Sequence, residues 1–118
     1  NPKVSKFFDP FNPAAVRCFK YIAQKTHDLN KPLAICGELA GSPLGALLLL
    51  SLGYKNLSMN YSQIARVKYI TRHVNLQDLM AIGEKALTLN SSVKIKSLYV
   101  EYATAHGLMG VIDPKNFR

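Results

Sequence analysis

Residues 33–53 read LAICGELAGSPLGALLLLSLG: a short apolar run, a cysteine followed by Gly37 and Glu38, and then a leucine-rich stretch. Leu33-Ala34-Ile35 has the form of a strand covered on both faces of a parallel sheet, though periodicity alone cannot separate so short a run from buried helix. Ser42-Pro43 is a helix start, with a side-chain acceptor at the N-cap and a proline where its missing N–H costs nothing. Gly53 is a stop signal, so residues 43–52 form a helix, and the run Leu47 to Leu50 implies that it is buried all round. The loop at Cys36 therefore joins a strand to a helix. Either it only turns the chain or it presents a thiol to a substrate.

Working outward, Asn12-Pro13 repeats the start signal, and Val16, Phe19, Ile22 and Ala23 recur at helical spacing up to about Leu29. Asn30-Lys31-Pro32 ends that helix. Asn56 to Met59 is a second short strand. A helix beginning at Ser62 or Gln63 runs through Ile64, Val67 and Ile70 to about His73. Asn75, with Asp78 three residues on, caps a helix carrying Leu79, Ile82 and Ala86. A last helix starts at Ser91 or Ser92, turns Ile95, Leu98 and Tyr102 inward, and stops at Gly107.

The order is helix, strand, helix, strand, then three helices. Two parallel strands do not make a stable sheet alone. Strand–helix units with a reactive residue just past a strand's C-terminal end are the pattern of a (β/α)8 barrel, which takes about 250 residues. The expected fold is thus α/β: the C-terminal portion of a (β/α)8 TIM barrel, helix-rich with about two short parallel strands. Residues 1–118 would be one domain, an excerpt of a longer protein, since the chain opens on Asn1 without an initiator methionine.

Composition narrows the function classes. Apolar residues make up 48% and charged residues 19% of the 118 positions, which favours a globular core over disorder. The longest apolar run, Pro43 to Leu52, is half of the roughly 20 residues a membrane-spanning helix needs. Cys18 and Cys36 make no disulfide framework and no secretory leader opens the chain, so a cytoplasmic home is expected. The net charge of +8 favours anionic partners, and between Asp28 and Asp78 the one acid is Glu38. Arg66, Lys68 and Arg72, with Tyr61 and Tyr69, are the cluster that could hold nucleic acid, although a solvated helix face accounts for them better. His27, His73 and His106 have no metal-ligand spacing and read as surface or capping residues. Cys18, beside Phe19, reads as packing.

Three stretches then resemble a known family. ICGELAG (35–41), LLLLSLGYKNLSMN (47–60) and IARVKYITR (64–72) are similar to the C-terminal end of the phosphoenolpyruvate-protein phosphotransferases, enzyme I of the bacterial sugar phosphotransferase system. AHGLMGVIDP (105–114) looks more like the nitrogen-regulatory paralogue. The resemblance runs from about Asp9 to Asp113. It implies phosphoryl transfer from phosphoenolpyruvate to an enzyme histidine, with magnesium, then to a small histidine-containing phosphocarrier protein, with release of pyruvate. It also implies a homodimer. On the length of the apolar run and the scatter of the basic residues, neither nucleic acid nor membrane is expected as a partner.

Cys36 matches the family's cysteine, which hands a proton to the methylene carbon of the enolate. Carbon protonation needs a positioned acid, and a thiol suits that task near neutral pH. Gly37 would let the backbone approach the ligand, and Glu38 would orient the loop or accept a proton. The family's phosphorylated histidine, metal carboxylates and phosphate-clamping arginines have no counterpart here, so the chain alone is expected to bind no metal, hold phosphoenolpyruvate poorly and transfer no phosphate. The competing reading is a non-catalytic basic interaction or nucleic-acid-binding module.

Overall fold

The computed structural model describes residues 2–4 and 9–112. Asp113, where the resemblance ends, lies outside the described residues. Among the described residues nine elements follow in order: α1 (Pro13–Asp28), β1 (Ala34–Cys36), α2 (Glu38–Gly41), α3 (Pro43–Ser51), β2 (Asn56–Ser58), α4 (Tyr61–Arg72), α5 (Leu76–Leu87), α6 (Ser92–Ala105) and α7 (Met109–Ile112). The fold is α/β and helix-rich.

The strands β1 and β2 pair in parallel, with Ala34 opposite Asn56, Ile35 opposite Leu57 and Cys36 opposite Ser58. The expected caps form. Asn12 Oδ1 accepts from the Ala14 N–H at 2.9 Å, Ser42 Oγ from Gly45 at 3.0 Å, and Asn75 Oδ1 from Gln77 at 2.9 Å. Each satisfies a backbone donor that the first helical turn leaves without a partner.

Helix α3 is the centre of the molecule. Leu47, Leu48 and Leu49 are fully buried, and Val16, Ile70, Leu79, Ala86, Ile95, Tyr99 and Leu108 close around them from α1, α4, α5, α6 and the residue before α7. Helix α5 approaches so closely that a Cβ on Gly83 would stand 2.5 Å from the Ser51 carbonyl oxygen. Gly45 has the same role toward α2, where a Cβ would collide with the Leu39 carbonyl. This second contact ties the Cys36 loop to the core.

Several expectations are corrected. The strands are not covered on both faces: Ile35 and Leu57 pack on the core, whereas Ala34, Cys36, Asn56 and Ser58 are exposed. The inward and outward side chains alternate along each strand, so one side of the pair packs on the core and the other is exposed. Along α1 the core line runs Val16, Phe19, Ala23. Ile22 lies at its margin and is 40% exposed, and Cys18 lies on the opposite face and is exposed rather than packed. In α6 the deepest aromatic is Tyr99, and Leu98 is half-buried. The one-turn helices α2 and α7 are not expected from the sequence, and α4 begins at Tyr61, one or two residues before the expected start.

Tyr99 makes a testable buried pair. Its hydroxyl lies 2.8 Å from Ser51 Oγ, which donates to the Leu48 carbonyl at 2.6 Å, so the phenol donates to Ser51. Burial pushes the Tyr99 phenol up to about 12 from an ordinary 10.0, against a smaller lowering by Ser51. The unfolded chain releases this proton near pH 10 and the folded chain does not until about 12, so the folded state loses stability as pH rises through that window. The loss is about 3 kcal/mol across those two units. Denaturant titrations at pH 9 and pH 12 should show it, and Tyr99→Phe should flatten it.

Candidate active site at the strand ends

Cys36 is the last residue of β1 and is a free, exposed thiol. The parallel register sets it opposite Ser58, the last residue of β2. Both strands therefore deliver side chains to one end of the pair, the C-terminal end, where parallel α/β folds place their chemistry. Next in the chain, Gly37 adopts φ 101° and ψ −170°. That conformation is open essentially to glycine alone. A Cβ on Gly37 would meet nothing within 4 Å, so the requirement is conformational and not one of space. The turn sends the chain from the strand into α2, with Glu38 as its first residue, exposed beside the thiol.

Cys36, Gly37 and Glu38 form one wall of an open cleft of about 300 Å³. The other wall is Ser58, Met59, Asn60 and Gln63, from the end of β2 and the start of α4. The structure thus brings together all three residues singled out from the sequence. It adds four more that were not foreseen. Ser58 was within reach of sequence reasoning, because two parallel strands starting alike must end alike. Gln63 carried no signal of its own.

The donor set does not suit magnesium. That ion takes oxygen ligands in near-octahedral geometry. Here one carboxylate stands beside a thiol, and no group of three His, Cys, Asp or Glu side chains gathers anywhere among the described residues.

The remaining candidates lie apart. His73 and His106 cap α4 and α6, each stacked on the tyrosine one turn earlier at ring separations of 4.1 and 4.0 Å. In both, Nδ1 donates to that tyrosine's carbonyl, at 2.7 and 2.8 Å. The basic cluster is not one patch. Arg66 Nη2 donates to the Val111 carbonyl at 2.8 Å, whereas Lys68 lines a separate groove with Leu50, Leu57 and Ile64. Among the described residues no helix is long and apolar enough to cross a membrane.

Comparison with known proteins bears on this geometry. The family described as PEP-utilising enzyme, PEP-binding domain, matches residues 1–76, the stretch that holds both strands and both walls of the cleft. The chain belongs to that family. Among curated members, a Salmonella typhimurium protein named phosphoenolpyruvate-dependent phosphotransferase system is 32% identical over 112 residues, covering 95% of this chain and 15% of that protein. The phosphoenolpyruvate-protein phosphotransferases of Borreliella burgdorferi and Haemophilus influenzae are each 31% identical, over 102 and 108 residues. These cover 86% and 92% of this chain, and 18% and 19% of those relatives. The chain thus spans less than a fifth of the length of each of these three relatives.

Proposed function

We propose that the chain is the C-terminal part of the phosphoenolpyruvate-binding barrel of a phosphoenolpyruvate-protein phosphotransferase, and that Cys36 is its proton donor to carbon. The observation that carries this reading is the exposed thiol on the C-terminal end of β1, in a cleft shared with the end of β2. The uncovered side of the strand pair, with Ala34, Cys36, Asn56 and Ser58 on it, supports the barrel, since a closed barrel would turn that side inward.

In this reading the phosphorus–oxygen bond of phosphoenolpyruvate breaks, the phosphoryl group goes to a histidine outside this chain, and the electron pair stays on the enolate. The enolate closes to a ketone as its methylene carbon takes the proton from Cys36 Sγ, forming the methyl group of pyruvate. The thiolate is left facing water, because the side chain is exposed, and regains a proton there. Gly37 lets the turn carry no side chain over the substrate. Glu38 orients the loop, and as a carboxylate in the same cleft it can return the proton. The phosphoryl group would pass on to a small histidine-containing phosphocarrier protein. The whole protein would be a cytoplasmic homodimer, and the magnesium such a transfer implies would be held by residues outside this chain.

Full-length protein incubated with phosphoenolpyruvate labelled in its phosphate tests the reading. An acid-labile phosphohistidine, formed together with pyruvate, is the expected result. The 118-residue chain alone should yield neither. Absence of both products from the full-length protein overturns the proposal.

A further inference from the structure

Gln63 stands in the first turn of α4, half-buried, with its side chain in the wall of the Cys36 cleft. Its place is set by Gly41, the last residue of α2. A Cβ built on Gly41 would coincide with the Gln63 side-chain amide, whose oxygen lies nearer that position and whose Nε2 lies 3.2 Å from it. Gly41 has no left-handed φ, unlike Gly37, Gly53 and Gly107. Glycine is therefore required there for space and not for backbone conformation. The missing methyl group lets the amide lie across the end of α2.

The amide so seated has its oxygen nearer Gly41 and its NH2 group farther from it. Among the described residues no hydrogen bond is made by that group. An amide in the wall of a cleft with two unused donors suits a planar anion with two acceptor oxygens. We infer that Gln63 binds the carboxylate of the three-carbon substrate, seated for this by Gly41. This inference rests on the proposed function and deepens it. The carbon that Cys36 protonates is two bonds from the carboxyl carbon, so a carboxylate anchored on the β2 wall places the methylene toward the β1 wall, where the thiol stands. Glu38, on the thiol's side, repels the carboxylate from the opposite arrangement.

A carboxylate is present in substrate and transition state alike, so its donor contributes uniform binding. Loss of that donor raises KM with little change in kcat. In the full-length protein, Gln63→Ala should lower kcat/KM for phosphoenolpyruvate by about tenfold to a hundredfold, mostly through KM. Product inhibition by pyruvate should weaken in step, while inhibition by inorganic phosphate should not change. Gly41→Ala should mimic this loss when Gln63 is present and add nothing in the Gln63→Ala background, which a double-mutant cycle reads directly.

A KM within twofold of the parent in Gln63→Ala, alongside an impaired Cys36→Ala, overturns this inference and leaves the proposed function standing. An unimpaired Cys36→Ala overturns the function on which it rests. Equal losses from Gly41→Ala in both backgrounds also overturn the seating role.

Discussion

Cys36→Ala in the full-length protein is expected to slow pyruvate formation from phosphoenolpyruvate by about 10²- to 10⁴-fold, the usual contribution of a positioned acid or base. Folding stability should stay within about 0.5 kcal/mol of the parent, because the thiol is exposed and substitutions of exposed side chains away from special contacts cost little. The two halves of the reaction should separate. Phosphoryl transfer precedes carbon protonation and does not use the thiol, so rapid-quench sampling should show phosphohistidine forming near the parental rate while pyruvate lags. Equal slowing of both would assign Cys36 to binding. Parental rates of both would remove it from the chemistry, and the reading of the strand end with it.

The stability half of this expectation follows from how the loop is built. Its shape comes from Gly37, whose φ of 101° makes the turn, and from the close contact of Gly45 with the Leu39 carbonyl, which holds α2 against α3. Neither depends on a sulfur atom. Gly37→Ala is the contrary case, since any β-carbon is strained at that φ, and it should move the thiol as well as the fold.

How much of this was legible in the sequence depended on where each signal came from. Asn12-Pro13, Ser42-Pro43, Asn75 and Ser91 mark helix starts because the capping bond is local, made within three residues of the cap. The run Leu47 to Leu50 announced the core because a helix apolar on every side is expected to be buried, and Leu47 to Leu49 are, whereas Leu50 is half-buried at the edge of a groove. Helix α2 left no such trace: four residues between glycine and serine cannot show a period. The depth of Tyr99 was also invisible, since its burial depends on Ser51, 48 positions away, meeting its hydroxyl. At the site, the strand–turn–helix pattern marked Cys36 as a thiol at a strand end, and the resemblance to the phosphotransferases singled it out together with Gly37 and Glu38. Gln63 could not be named, because its place in the cleft depends on a missing side chain on another helix.

Leu48→Ala is expected to destabilise the fold by about 2–5 kcal/mol, through lost transfer energy plus the cavity left among neighbours that relax only in part. Leu48 is fully buried and Leu76 is 49% exposed, so Leu76→Ala, identical in chemistry, should cost well under half as much. Denaturant titration checks this: the midpoint should fall with an unchanged slope. The loss should be large because Leu48 lies on the part of α3 that is closed on all sides. Helix α5 is held at the Gly83–Ser51 contact, and Ser51 Oγ is fixed between the Leu48 carbonyl and Tyr99, so neither wall can close on the void without breaking a buried hydrogen bond. At temperatures where Leu48→Ala remains folded, its turnover should stay near the parental value, since the cavity is in the core around α3 and the cleft is at the strand ends. Cys36→Ala should show the reverse, full stability and little turnover. A Leu48 variant that lost activity while still folded would mean that the core sets the geometry of the thiol, and that the Gly45 contact transmits it.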